Sequence, residues 1–254
     1  MQTLPVVTSV ISASQYGAFP TFGSGSRIEI YGSNLANYTE VWASSNFSGA
    51  NNAYAPTELS QTSVTINGQS AYTYYVSPGQ LDVQAPGGLP TGSQPLVVTT
   101  ESGSSAPFNV NVVSVEPGLL APSSFDINGT KYAVALFSDG TTYVLPSGAI
   151  SGITSQPAKP GDTITLYGIG FGEVNQGIPP GQVASGQTSL AAPLTISIGG
   201  SQATVSYAGL APGYVGLYQF NVVVPNIAAN NAAPVTFSLG GVAGTQKLYL
   251  PISN

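Results

Sequence analysis

Apolar and polar residues alternate along most of this chain in short runs that stop at glycine, proline or an Asn-Gly pair. "RIEIYG" (27–32) puts Ile28 and Ile30 on one face and Arg27, Glu29 and Tyr31 on the other. That period of two predicts a strand with one wet face. "TITLYG" (163–168) repeats the pattern with Ile164 and Leu166. "SVTINGQSAYTYYV" (63–76) predicts a hairpin, because Asn67-Gly68 accepts the positive φ of a tight turn. "TISIGGSQATVSYAG" (195–209) predicts another around Gly199-Gly200, and "KYAVALFSDGTTYVLP" (131–146) a third around Asp139-Gly140. In "SYAGLAPGYVGLYQFNVVVP" (206–225) a glycine-rich lead-in precedes a clear strand, with Leu217, Phe220, Val222 and Val224 as core candidates. The lead-in reads as a crossover that places this strand. No segment carries a sustained helical period, so no helix longer than about three turns is expected.

The elements recur in order. "GSRIEIYGSNL" (25–35) matches "GDTITLYGIGF" (161–171), and "VTINGQSAYTYYVSPGQLDVQAP" (64–86) matches "ISIGGSQATVSYAGLAPGYVGLYQFNVVVP" (196–225). Both halves then enter a strand after proline, "PLVVTT" at 95–100 and "PVTFSL" at 234–239. An ordered internal repeat of this length means a duplicated unit. The reading is all-β: two tandem Ig-like β-sandwich domains, residues 1–114 and 115–254, the second with an extra N-terminal hairpin.

Composition supports folding and narrows chemistry. Charged residues are only 6%, but 14 Tyr, 9 Phe and many β-branched residues separate the chain from disordered ones. Four Lys and Arg stand against ten Asp and Glu. Arg27, Lys131, Lys159 and Lys247 are dispersed, so no phosphate-binding patch and no nucleic acid partner is expected. No run of about 18 apolar residues is present, so no membrane insertion is expected. "MQTLPVVTSV" lacks the basic start and long apolar run of a secretion signal, as in a mature form.

Cysteine and histidine are both absent. Disulfides, thiolate or imidazole metal sites, Cys nucleophiles and His bases are excluded, and no cofactor is expected. Serine without His needs a Lys partner, and Lys131, Lys159 and Lys247 show no Ser-x-x-Lys spacing. Glycoside hydrolysis needs two neighbouring carboxylates. Glu29, Glu173 and Asp82 lie apart in sequence and read as solvated surface acids. No enzyme is expected. "DINGT" (126–130) lacks the acid pattern of a calcium loop and reads as an Asn-Gly turn. Asn37, Asn46 and Asn128 head N-x-[ST] sequons.

The repeated "G-x-x-I-x-[IL]-Y-G" strand resembles the opening of IPT/TIG domains, which are Ig-like modules. "YVSPGQLDVQAP", "EPGLLAP", "ALFSDGT", "KPGDTITLYGIGFG", "YAGLAPGYVGLYQFNVVVP" and "VTFSLGG" together resemble the Solibacter C-terminal domain family of secreted Acidobacteria proteins. The resemblance covers about residues 6–252 and implies an extracellular, all-β, non-enzymatic module of unassigned function, often found at the end of long multidomain proteins. This chain is short for that family and carries a longer polar loop at 36–59.

Two roles follow as expectations. One is a structural protein of the cell surface that assembles with copies of itself into a filament or surface layer. Its exchanged element would be the apolar segment "LPVVTSVI" (4–11), through Leu4, Val6 and Val10; the rival is that 4–11 forms the first strand of its own domain. The alternative is a carbohydrate-binding or adhesive module for extracellular glycan. It would use Trp42, Phe47 and Tyr54, which the 36–59 loop sets among Asn and Ser; a loop packing its own aromatics onto the sandwich is the rival explanation.

Overall fold

The structure is a computed structural model describing residues 3–254. In the first half, one sheet runs β1 (Val6–Ser12), β3 (Arg27–Ser33), β9 (Gln80–Gln84), β8 (Tyr72–Val76), β4 (Glu40–Val41). The facing sheet runs β2 (Thr21–Gly23), β12 (Phe108–Val113), β10 (Gly92–Thr100), β6 (Thr62–Ile66), β5 (Glu58–Leu59). The short strands β7 (Gln69–Ser70) and β11 (Gly103–Ser104) flank β6 and β10. Ile28, Ile30, Leu81 and Val83 from one sheet meet Val64, Ile66, Leu96 and Val98 from the other in a closed core. Alternation along β3, β9, β6 and β10 supplies this face directly.

The second half repeats the plan. After β13 (Gly118–Leu119) come a ribbon of β14 (Asp126–Ile127) and β15 (Thr130–Lys131), then β16 (Ala135–Phe137), β17 (Tyr143–Val144) and β18 (Ser155–Gln156). The sheet order is β18-β17-β16-β19-β23-β22, with β19 at Thr163–Ile169, β22 at Thr204–Leu210 and β23 at Tyr218–Val223. Facing it, β24 (Asn230–Leu239) lies between β20 (Leu194–Ile198) and β26 (Leu248–Ile252), with β21 (Ser201–Gln202) and β25 (Val242–Ala243) as short partners. The neighbours β3-β9-β8 thus recur as β19-β23-β22, and β12-β10-β6 as β26-β24-β20. Both halves are Ig-like sandwiches, and all described helical turns are three-residue 3-10 turns.

Two hairpin expectations change. Asn67-Gly68 does turn the chain, with φ of 50° and 74°, but only into the two-residue β7; the chain then crosses to the opposite sheet as β8. Gly199-Gly200 likewise joins β20 to β21 before β22 switches sheets. Ala71 and Ala203, both buried, sit at the corners, and their N–H groups donate to Val64 O and Ile196 O. A small residue lets the strand pass through the core edge, where a sandwich changes sheets. The 131–146 hairpin forms as β16 and β17, with Asp139 accepting the N–H groups of Thr141 and Thr142 at 2.9 Å each. "DINGT" forms the β14–β15 turn, with Asn128 at φ 53°. The 206–225 segment is no crossover but the β22–β23 hairpin. Its loop carries Gly216 at φ +64°, where a Cβ would lie 2.5 Å from the Gln84 amide of the other half.

The halves touch along a small apolar seam of Ala13, Tyr16, Ile169, Ala211 and Leu217. Gln246 Nε2 donates to Tyr16 O at 3.2 Å, and Ala121 N donates to Gln15 O at 2.7 Å.

Candidate functional site

The 36–59 loop is held at both ends. Trp42 N donates to Tyr74 O at 3.0 Å on β8, and Asn46 Oδ1 closes a turn by accepting Ala43 N at 2.6 Å. Further along, Val183 N donates to Ala53 O and Ala55 N to Gly181 O, each at 2.8 Å. Ala184 N in turn donates to Tyr214 O at 2.8 Å. The loop is therefore stitched to the second half through 181–184 and the β22–β23 loop.

These connections shape a cleft of about 380 Å³ lined by Arg27, Trp42, Phe47 and Tyr74 from the first half and Val183, Gly213, Tyr214 and Val215 from the second. Trp42 packs against Phe47 (ring centroids 4.9 Å apart) and Tyr74 (5.5 Å), both tilted. The Arg27 guanidinium lies 5.2 Å from the Tyr74 ring centroid, and its Nε donates to Val215 O at 3.2 Å. Burial, the largest cause, pushes the Tyr74 phenol far above its ordinary range, so it is a neutral wall of the cleft. Tyr54 is not part of this lining; it is 46% exposed and pairs its backbone with Ser48 and Gln182. Trp42 and Phe47 thus come together with Tyr74 and Tyr214, which sequence reasoning missed. Tyr214 did carry a signal, as a tyrosine in a Gly/Pro-rich turn that has no counterpart in the shorter "SPGQLDVQAP" version.

The outer face of β3 and β9 corrects the reading of solvated acids. Glu29 is only 5% exposed and accepts hydrogen bonds from Ser14 N (2.9 Å), Ser14 Oγ (2.9 Å) and Tyr31 Oη (2.6 Å). The connection after β1 folds over Glu29 through Ser14, so this part of the face is not wet. Asp82 stands directly opposite Glu29 in register, half-buried, accepting from Gln80 Nε2 at 2.7 Å. Burial first, with Glu29 adding repulsion, pushes the Asp82 carboxyl up to about 6. Burial and the Glu29 hydrogen bond push the Tyr31 phenol up to about 12. The two acids are neighbours, contrary to their distance in sequence, yet neither is among the residues that line the junction cleft. Glu173 is exposed, at a second junction cavity of about 330 Å³ that Gln84, Gln182 and Tyr218 also line.

Strand β1 pairs with β3 of its own half, at a sheet edge. Val10 packs against the first core, whereas Leu4 and Val6 are 53% and 50% exposed. Of the sequon residues, Asn37 and Asn128 are exposed; Asn46 is half-buried and engaged by Ala43. Among the described residues no helix is long and apolar enough to cross a membrane.

Fold and junction together define a tandem Ig-like β-sandwich protein. Residues 5–113 match the family model described as the IPT/TIG domain. No curated protein matches. Among solved structures the chain is similar to SGBP-B of the Bacteroides ovatus mixed-linkage glucan utilization locus in complex with a mixed-linkage heptasaccharide, at 13% identity and TM-score 0.40, covering 100% of this chain and 46% of that one. It is also similar to domains 5–6 of the S-layer protein SbsC, at 12% identity and TM-score 0.29, covering 98% and 99%. The chain spans less than half the length of the first of these.

Proposed function

We propose that this protein is a non-catalytic structural module of the cell exterior that associates with copies of itself. The observation that supports this best is β1: an edge strand whose first side chain, Val6, is exposed, as is Leu4 just before it. Unpaired edges invite a further strand, and a chain with 6% charged residues offers little repulsion against it. Burying the exposed parts of two such side chains contributes roughly 2–3 kcal/mol, against an association cost on the order of 4–15 kcal/mol. Additional faces must join, and Tyr38, Val41 and Val242 are exposed apolar candidates. Light scattering across a concentration series tests this. The wild type should grow with concentration, and a Leu4→Lys/Val6→Lys variant should stay monomeric with its fold intact. A wild type that is monomeric throughout refutes the reading. The finer assignment to the Solibacter C-terminal domain family, with its extracellular setting, rests on the motifs spread over residues 6–252.

A second reading, binding of extracellular glycan, is favoured by one observation, the gathering of Trp42, Phe47, Tyr74 and Tyr214 around a single cleft. Trp42→Ala, compared with wild type on a glycan array, tests it.

A further inference from the structure

We propose that the junction cleft holds one neutral pyranose ring, packed against its aromatic walls and hydrogen-bonded by Trp42 and Arg27. This rests on the glycan-binding reading and specifies its ligand. At about 380 Å³ the cleft stands near the lower end of small-ligand sites, about 300–1,000 Å³, which suits one ring rather than a length of chain. Its walls are mostly apolar and aromatic, matching the C–H faces of a sugar ring.

Its polar atoms select the rest of the ligand. Among the described residues, neither the Trp42 indole N–H nor Arg27 Nη1 donates to any protein group; Arg27 Nε and Nη2 are both spent on Val215 O. Both side chains line the cleft, so a ligand that offers acceptors can pair with these donors where a hydrocarbon cannot. A carboxylate-bearing sugar is disfavoured. Glu29 and Asp82 share the β3–β9 face with Arg27, so the one cation among the described lining residues is already outweighed by acids on its own sheet. A neutral ring with hydroxyl acceptors satisfies both the stacking walls and the donors.

The site is composite. Trp42 and Phe47 come from a loop that is hydrogen-bonded to residues 181–183, and Tyr214 and Val215 come from the β22–β23 loop. Neither half alone carries the cleft.

The test uses the full chain with single-ring methyl pyranosides, the matching uronates and neutral oligosaccharides, read by saturation-transfer NMR and calorimetry. Expected is weak binding of neutral rings, near millimolar as befits so small a ligand. Trp42→Ala and Tyr214→Ala should each weaken it about tenfold or more, and Tyr54→Ala, outside the cleft, should leave it unchanged. Tyr214 is 55% exposed, so its replacement spares the fold. Neutral glycan binding that survives both Trp42→Ala and Tyr214→Ala overturns the junction site while the glycan reading stands. Uronates bound in preference to neutral rings overturn the ligand class. No binding of any glycan overturns both this inference and the reading beneath it.

Discussion

Asp82 and Asp139 are carboxylates with opposite pH behaviour. Asp82 is pushed up to about 6, chiefly by burial. Between about pH 4 and 6 the folded chain therefore holds a proton that the unfolded chain has released, and stability falls as pH rises through this window. The effect is on the order of 1 kcal/mol once partial exposure is discounted. Thermal melts from pH 4 to 7 should show it, and Asp82→Asn should flatten the slope while matching or exceeding wild-type stability at pH 7. Asp139 is held down at about 2, chiefly by the Thr142 hydroxyl and then by backbone N–H groups. Its contribution is present above about pH 4 and is lost as pH falls towards 2. Glu29 satisfies three donors. Glu29→Ala should cost roughly 2–3 kcal/mol in urea unfolding, because Ser14 and Tyr31 lose their shared acceptor.

At the scale of the element, the β22–β23 loop closes a hairpin and also forms a wall of the junction. Gly216 is the pivot: its φ of +64° disfavours any Cβ, and a Cβ would strike the Gln84 amide. Gln84 in turn bridges Gly25 O at 2.9 Å and Gly181 N at 2.8 Å. Gly216→Ala should therefore loosen the docking of the halves and destabilise by about 1–2 kcal/mol. Hydrogen exchange should show lost protection at Gly181 and Val183 while β19 and β23 stay protected. Uniform loss across the second sheet would mean that the hairpin itself fails. Phe220, fully buried on β23 against Phe171, gives the contrast. Phe220→Ala should cost about 3–5 kcal/mol and act on the whole second core.

Across the whole molecule, the two cores are separate clusters joined by a thin seam. We propose that residues 1–114 and 115–254 fold as independent units that stabilise each other by docking. A fragment of 1–114 should keep a cooperative melt and β-sheet circular dichroism at a lower Tm than the full chain, and a fragment without either would refute independence. Gln84, Arg27 and the 53–55 segment lose their second-half partners in such a fragment, which is the source of the lower Tm.

The sequence alone determined what local periodicity and turn chemistry control. Ile28, Ile30, Ile164 and Leu166 read inward because strand side chains alternate, and they lie in the two cores. The duplication was legible because the same strands recur in the same order, and the want of His and Cys by itself removes whole classes of chemistry. Trp42 and Phe47 were legible as a pair because one loop holds both. Tertiary structure decided the rest. Alternation names two faces of a strand but not what covers the second, so Glu29 read as wet until the connection through Ser14 was seen to close over it. Asn67-Gly68 announces a turn, but β8 joins the opposite sheet because its partner β9 pairs with β3, far back in the sequence. Tyr54 parted from Trp42, and Tyr74 and Tyr214 joined it, because the docking of two sandwiches brings together side chains that local sequence keeps far apart.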